Sequence, residues 1–338
     1  MRTDPQGPVV PSASVVVPTH RGGHRLPVLL QALEAQDHDG PWELIIVLDG
    51  VLDDTPQLLA RWADRLPLQV IPLPTPSGVV TALNTGYAAA TGDVVLRCDD
   101  DITPRPDWLR RHLVHHASGE DIGVVSATRD VLDDTPYARA YGRPANERAL
   151  DAAYARGGAD TWISWAACNS VRRTSFERIG GFDPRFVYGQ DSELGWRLYS
   201  TGTRIVVDPA VEVLHRGPTT TAAVRASRAW ISGASMRVAH RTHPDRSTPA
   251  ATPAQGLGRV WAAGVTILAA ALRSPLAAGR CGAAVDAALP RVPAVVGTRL
   301  VALVVESAGT AGRRRGGDDL SVHRDQKRVE LSRELRAR

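Results

Sequence analysis

Three aspartates in a row, Asp99, Asp100 and Asp101, close the hydrophobic run Asp93 to Arg97. Adjacent carboxylates repel one another, and a divalent cation is the simplest reason to keep them together. In an extended segment Asp99 and Asp101 emerge on one side, able to hold Mg2+ or Mn2+ directly or through water. A cation with so few protein ligands generally also binds substrate phosphates. A solvated acidic turn leading into Pro104 and Pro106 accounts for the same residues without any chemistry. Two other acidic sites share this ambiguity. Asp49 precedes Gly50 and could serve only as a turn former. Asp191 and Glu193, in Gln190-Asp191-Ser192-Glu193, open an amphipathic stretch where acids offset a helix dipole.

The elements that must position these groups follow from periodicity. Strands are expected at Ser14 to Val17, Glu43 to Leu48, Gln69 to Leu73, Asp93 to Arg97, Arg204 to Val207 and Val211 to His215. Helices are expected at Leu26 to Gln36, Thr55 to Arg65, Val79 to Ala90 and Trp108 to Ala117, with another carrying Leu194, Trp196, Arg197 and Leu198. Such β-α alternation implies an α/β fold with a doubly wound, mostly parallel sheet, whose ligands bind at the carboxyl ends of the strands. Pro18-Thr19-His20, Asp49-Gly50 and the triple aspartate all fall there.

In that order along the chain, the motifs resemble the inverting family 2 glycosyltransferases of the nucleotide-diphospho-sugar transferase (GT-A) fold. The matching stretches are Ser14 to Arg21, Glu43 to Asp54, Ala82-Leu83-Asn84-Thr85-Gly86, the triple aspartate with Pro106-Asp107-Trp108-Leu109, Cys168 to Arg173 with Gly180-Gly181-Phe182-Asp183, and Gln190 to Leu194. The resemblance covers about residues 12–218. It implies transfer of a sugar from a nucleotide-diphospho-sugar, a UDP-sugar by expectation, to the hydroxyl of a glycan, lipid-linked or secondary-metabolite acceptor. Residue by residue, it implies Asp191 as the general base and Asp99 and Asp101 as metal ligands with His215. It assigns Pro18, Thr19, His20, Arg21, Asp49, Asn84, Arg97 and Asp100 to the nucleotide sugar, and Trp165, Asn169, Gln190 and Glu193 to the acceptor side. Several have plainer readings: His215 as a loop histidine, Trp162 and Trp165 as core, Arg172-Arg173 as a solvated pair. Departures from the family pattern are Leu48 and Gln190, where relatives often carry an acid, and Leu83, where one branch carries arginine.

Other classes fit less well. Arg21-Gly22-Gly23-His24-Arg25 is a poor version of the phosphate loop of a sugar-1-phosphate nucleotidyltransferase, and that class leaves Asp191 unexplained. A non-catalytic scaffold or carbohydrate-binding relative in envelope polysaccharide assembly would be expected to lose an acid that is retained here. No nucleic-acid-binding motif accompanies the pI of about 9.2.

Five segments are expected: a flexible N-terminus (1–11), the GT-A domain (12–240), a linker (241–255), an Ala/Arg-rich helical extension (256–312) and a charged, mobile tail (313–338). The net charge of +4 divides unequally. Residues 1–210 hold 20 basic and 27 acidic groups, a net of −7, and residues 211–338 hold 20 and 9, a net of +11. A basic extension suits peripheral contact with an anionic membrane through 256–338, or equally an ordinary helical subdomain. The longest apolar run, Val260 to Leu272, falls short of the roughly 18 residues of a membrane span. With no apolar leader at Met1 to Pro11 and three widely spaced cysteines, the expected location is cytoplasmic, peripheral at the inner face of the membrane if the extension binds there.

Overall fold

The computed structural model describes residues 10–246 and 258–320, with the side chain of residue 159 left aside. The segment 1–9, most of the expected linker and the tail beyond residue 320 lie outside the described residues. Contacts divide the chain into two units. The described residues up to Arg129, with Leu150–Pro184 and Gln190–Gly217, form the first. Asp130–Ala149, Arg185–Gly189 and the described residues from Pro218 onward form the second.

The first unit begins as the periodicity requires: β1 (Ala13–Thr19), α1 (Leu26–Glu34), β2 (Trp42–Leu48), α2 (Thr55–Ala60), β3 (Leu68–Pro72), α3 (Val79–Ala89) and β4 (Val94–Arg97). Beyond β4 come β5 (Ile102–Thr103), α4 (Trp108–His116), β6 (Ile122–Val125) and β7 (Thr128–Asp130). After α5 (Arg143–Ala155), of which only the part from Leu150 groups with this unit, follow β8 (Asn169–Arg172), α6 (Arg173–Arg178), α7 (Gln190–Ser200), β9 (Arg204–Val207) and β10 (Val213–His215). The α2 helix ends at Ala60, short of the expected Arg65, and the turn Pro209–Val211 replaces the first residues of the last expected strand.

The seven-stranded sheet runs β3-β2-β1-β4-β8-β6-β9. Every pairing is parallel except those of β8, which is antiparallel to both β4 and β6. Strands β1, β4 and β6, and β2 from Leu44 onward, are buried on both faces, so they read as continuous apolar runs rather than alternations, whereas edge strand β3 is exposed at Gln69, Val70 and Pro72. Val15, Val17, Leu44 and Ile46 face α1 and α4, while Val16, Ile45, Val47 and Val95 face α3, α6 and α7. The α1 residues Leu26, Leu29, Leu30 and Leu33, spaced for one helical face, are all 1% exposed or less. A second, three-stranded sheet runs β5-β10-β7.

The second unit is helical: α8 (Ala222–Thr242), α9 (Gly258–Ala271), α10 (Pro275–Ala288) and α11 (Ala294–Arg315), with a π-helical turn at Ala138–Gly142. Small residues let α8 and α11 approach closely. A Cβ on Gly312 would lie 1.9 Å from the Trp230 carbonyl oxygen, and one on Gly233 2.2 Å from that of Gly309. The Asp286 carboxylate accepts the free N–H groups of Ala222 (2.8 Å) and Ala223 (3.0 Å) at the start of α8. Among the described residues α11 is the one helix long and apolar enough to cross a membrane, with a mean hydropathy of 1.4 over a window that is 33% buried. The apolar run from Val260 is therefore not the longest apolar element.

Candidate active site

Each of the three aspartates has its own partner. Because β4 alternates, Val94 and Leu96 face α1 and α4, whereas Val95 and Arg97 face the side of α3 and α7. Arg97 is 2% exposed. Its guanidinium donates to both oxygens of Asp99, from Nε (2.8 Å) and Nη2 (3.1 Å). Through Nη1 it also donates to Asp191 Oδ1, in the first turn of α7. One buried cation thus joins the first acid of the triplet to the expected base, across 94 residues of sequence. Burial disfavours a charged Arg97, but the carboxylates of Asp191 and Asp99 overcome it and raise its pKa. Enclosure pushes the Asp99 carboxyl up to about 6 despite Arg97.

Asp100 turns the other way, to Arg25 Nε (2.8 Å) and Nη2 (2.7 Å) and to the Thr19 hydroxyl (2.5 Å). Arg25 also donates to the His20 carbonyl, which ties the β1–α1 turn to the residues after β4. Asp100 and Thr19, expected against the nucleotide sugar, here hold that turn, and Arg25 was missed by the sequence reading. Arg21 is exposed in this turn with a left-handed φ of 53°. Pro18 is buried within β1.

Asp101 meets His215. The antiparallel pair β5–β10, with His215 opposite Ile102, brings His215 Nε2 within 3.5 Å of Asp101 Oδ2. Burial would raise the Asp101 carboxyl, but the hydrogen bond and charge of His215, with Arg25 farther off, hold it below its usual value. A Cβ on Gly217 would fall 2.0 Å from Asp101 Oδ2, so only glycine leaves room there.

Among the described residues no three His, Cys, Asp or Glu side chains gather to hold a metal. Asp101 and His215, both partly exposed, fit a hard divalent cation as two protein ligands, with substrate oxygens completing the shell. Asp99, expected as the third, is paired with Arg97 in this structure.

Other expected residues have structural partners. Asp49 accepts the backbone N–H of Ser77 (2.5 Å) and Gly78 (2.9 Å) before α3, and its own carbonyl meets His20 Nδ1 at 2.8 Å. Asn84 closes a reciprocal pair with the Phe182 backbone at 2.9 Å in both directions, pinning a turn in which Gly180 and Gly181 both have φ of 75°. Glu193, 1% exposed, is paired with Arg197 at 2.6 Å, and Arg197 also donates to the carbonyls of Ile179 and Gly181. Trp165, 2% exposed, packs between Gly123 and Gly195, where added Cβ atoms would meet it at 2.5 Å. Asn84, Glu193 and Trp165 thus each have partners within the fold. Asn169 lies opposite Arg97 in the β4–β8 pair, fully buried, donating to the Ala166 carbonyl. Gln190 Nε2 lies 3.3 Å from Asp191 Oδ2. Chemically, the arrangement offers an oriented carboxylate at a helix N-terminus, a buried arginine behind it, and a separate acid–imidazole pair.

Comparison with known proteins bears on the family and the fold. Residues 14–180 match the model of the family described as Glycosyl transferase family 2. The chain is 28% identical over 250 residues to a pre-mycofactocin glycosyltransferase of Mycobacterium tuberculosis, covering 72% of this chain and 51% of the relative. Over 125 residues it is 34% identical to an undecaprenyl-phosphate 4-deoxy-4-formamido-L-arabinose transferase of Pectobacterium carotovorum, covering 36% and 38% of the two chains. It thus spans about half the length, or less, of these curated relatives. Among solved structures, a mannosyltransferase from Pyrobaculum calidifontis in complex with GDP-Man and Mn2+ superposes with a TM-score of 0.59 at 23% identity, covering 89% of this chain and 87% of that one. That likeness establishes the GT-A fold.

Proposed function

The chain belongs, through residues 14–180, to the family 2 glycosyl transferases, and on that premise we propose that it moves a sugar from a nucleotide-diphospho-sugar to an acceptor hydroxyl with inversion at the anomeric carbon. The observation that carries this reading is the Arg97–Asp191 pair. A general base needs a carboxylate that is ionised, oriented and within reach of a substrate proton. Arg97 orients the carboxylate by holding Oδ1 of Asp191, whose side chain is 22% exposed and so open to a substrate. As the acceptor oxygen bonds to the anomeric carbon and the bond to the diphosphate breaks, Asp191 takes the hydroxyl proton. The diphosphate departs with the bond's electron pair.

Asp101 and His215 are the residues that would hold Mg2+ or Mn2+. When bound, the cation would neutralise charge on the leaving diphosphate. The Pyrobaculum enzyme of the same fold was solved with Mn2+ and GDP-Man. A UDP-sugar remains the donor proposed here, with a GDP-sugar the alternative. The backbone of Pro18 to Arg21 and the rim at Asp49 would receive the nucleotide. Acceptors in the same family differ, as the names of the two relatives indicate. We place the reaction in the cytoplasm, where free thiols such as the buried Cys98 and Cys168 persist.

The test is a panel of UDP- and GDP-sugars with Mn2+, scored for slow donor hydrolysis and for binding. One donor should be hydrolysed in a Mn2+-dependent way, and Asp101→Ala should weaken its metal-dependent binding at least tenfold, or about 1.4 kcal/mol. Binding that is unchanged by both Mn2+ and Asp101→Ala would refute the metal assignment.

A further inference from the structure

The outward side of α9 reverses the usual amphipathic pattern. A surface helix normally presents charge to solvent, yet here the exposed positions between Arg259 and Arg273 are apolar apart from Thr266. Val260 is 77% exposed and Ile267 72%, with exposed alanines between them, and Leu276 at the start of α10 is 55% exposed. The inner side is well accounted for. Ala269 and Leu272 join the helical core, and Trp261 Nε1 donates to Glu306 of α11 at 2.7 Å.

Charge indicates what covers this face. Arg259 and Arg273 sit exposed at its two ends. No acidic residue occurs between Arg259 and Asp286, a stretch that also contains Arg280, and Asp286 is directed at the α8 backbone. A second copy of the chain is a poor occupant. Antiparallel pairing of two α9 helices would bring Arg259 against Arg273, and parallel pairing would bring like against like, so either juxtaposes cations. A lipid surface with anionic headgroups and apolar chains complements both features. At 14 residues, α9 spans about 21 Å, too short for a hydrocarbon core of about 30 Å, so it would lie along the interface rather than cross it.

We propose that α9 is a peripheral membrane-docking helix: Val260, Ile267 and the intervening alanines enter the acyl boundary while Arg259 and Arg273 bind anionic headgroups. This surface is independent of the proposed transferase chemistry, so either can fail alone.

Flotation of the full chain with vesicles tests it, comparing phosphatidylcholine alone with an equal mixture of phosphatidylcholine and phosphatidylglycerol. The protein should float with the mixture and not with phosphatidylcholine, and high salt should release it. Val260→Glu/Ile267→Glu, both at exposed positions, should lower vesicle binding at least tenfold with an unchanged circular dichroism melt. Arg259→Gln/Arg273→Gln should lower it about tenfold at low salt. Four results would overturn the proposal: no flotation with the mixture, equal flotation with both vesicles, salt-resistant retention as for a spanning helix, or undiminished binding by the glutamate variant. A dimer in solution that the glutamate variant dissociates would assign the face to a second copy and equally overturn it.

Discussion

At the scale of single residues, the centre of the site is an arginine that joins two acids. Removing it leaves Asp99 and Asp191 without their shared counter-charge, and breaking a buried pair this way costs about 3–5 kcal/mol. Arg97→Met should therefore lower stability by about that amount and slow transfer at least ~100-fold through a displaced base. Thermal unfolding and single-turnover assays measure the two effects, and full activity in a folded Arg97→Met protein would contradict the role given to it. Glu193 is a contrasting case. Its bond to Arg197 assigns it to the fold, so Glu193→Gln should lower the melting temperature while acceptor kcat/KM per folded enzyme stays within about twofold. Some of this was legible in the sequence and some was not. The triple aspartate and Asp191 stand out as candidates by type and order, and the structure joins Asp99 and Asp191 through Arg97. Glu193 and Arg197 are spaced i, i+4 on a helix, a signal for pairing that the acceptor assignment passed over. Arg97–Asp191 and Asn84–Phe182 join residues 94 and 98 apart, and no local pattern encodes them.

Among the elements, α4 is fixed to the sheet by polar contacts as well as apolar ones. His112 Nδ1 meets the Ser170 hydroxyl and its Nε2 the Ser126 hydroxyl, both at 2.8 Å, while Trp108 Nε1 donates to Ser126 and His116 Nε2 meets Ser170. Burial lowers the pKa of both histidines, His112 well below its ordinary value and His116 to about 3. Unfolded histidine binds its proton near pH 6.5, so between that pH and about 3 the unfolded chain holds more protons than the native one. Stability should thus be full above pH 7 and fall as the pH drops, by up to about 1.4 kcal/mol per pH unit for each histidine. Urea midpoints at pH 7.5 and pH 5 check this, and His116→Gln should flatten the dependence. An equal slope in the variant would show that His116 already titrates in the native state. The longer strands and helices were legible because each carries enough residues to show a period. Strand β5, of two residues, is too short for that, yet by pairing with β10, which the sequence marks as the end of Val211 to His215, it brings His215 to Asp101.

For the molecule as a whole, the opposed charges of the two halves were visible in composition, but the division of the fold was not. Residues 130–149 and 185–189 group with the helical unit although they interrupt the sequence of the sheet unit, because the pairing of separated segments leaves no mark on local periodicity. Within the helical unit, Gly312→Val would drive side-chain atoms into the Trp230 carbonyl and should cost about 1–3 kcal/mol, readable as earlier thermal unfolding. The central claim remains the chemistry at Asp191, and Asp191→Asn tests it most directly, with donor affinity and transfer to acceptor measured on the same preparation. The account predicts donor affinity within about threefold of wild type and transfer reduced at least ~1000-fold, since the amide is nearly the same size but accepts no proton. Transfer at the wild-type rate by Asp191→Asn, with the donor bound normally, would contradict it.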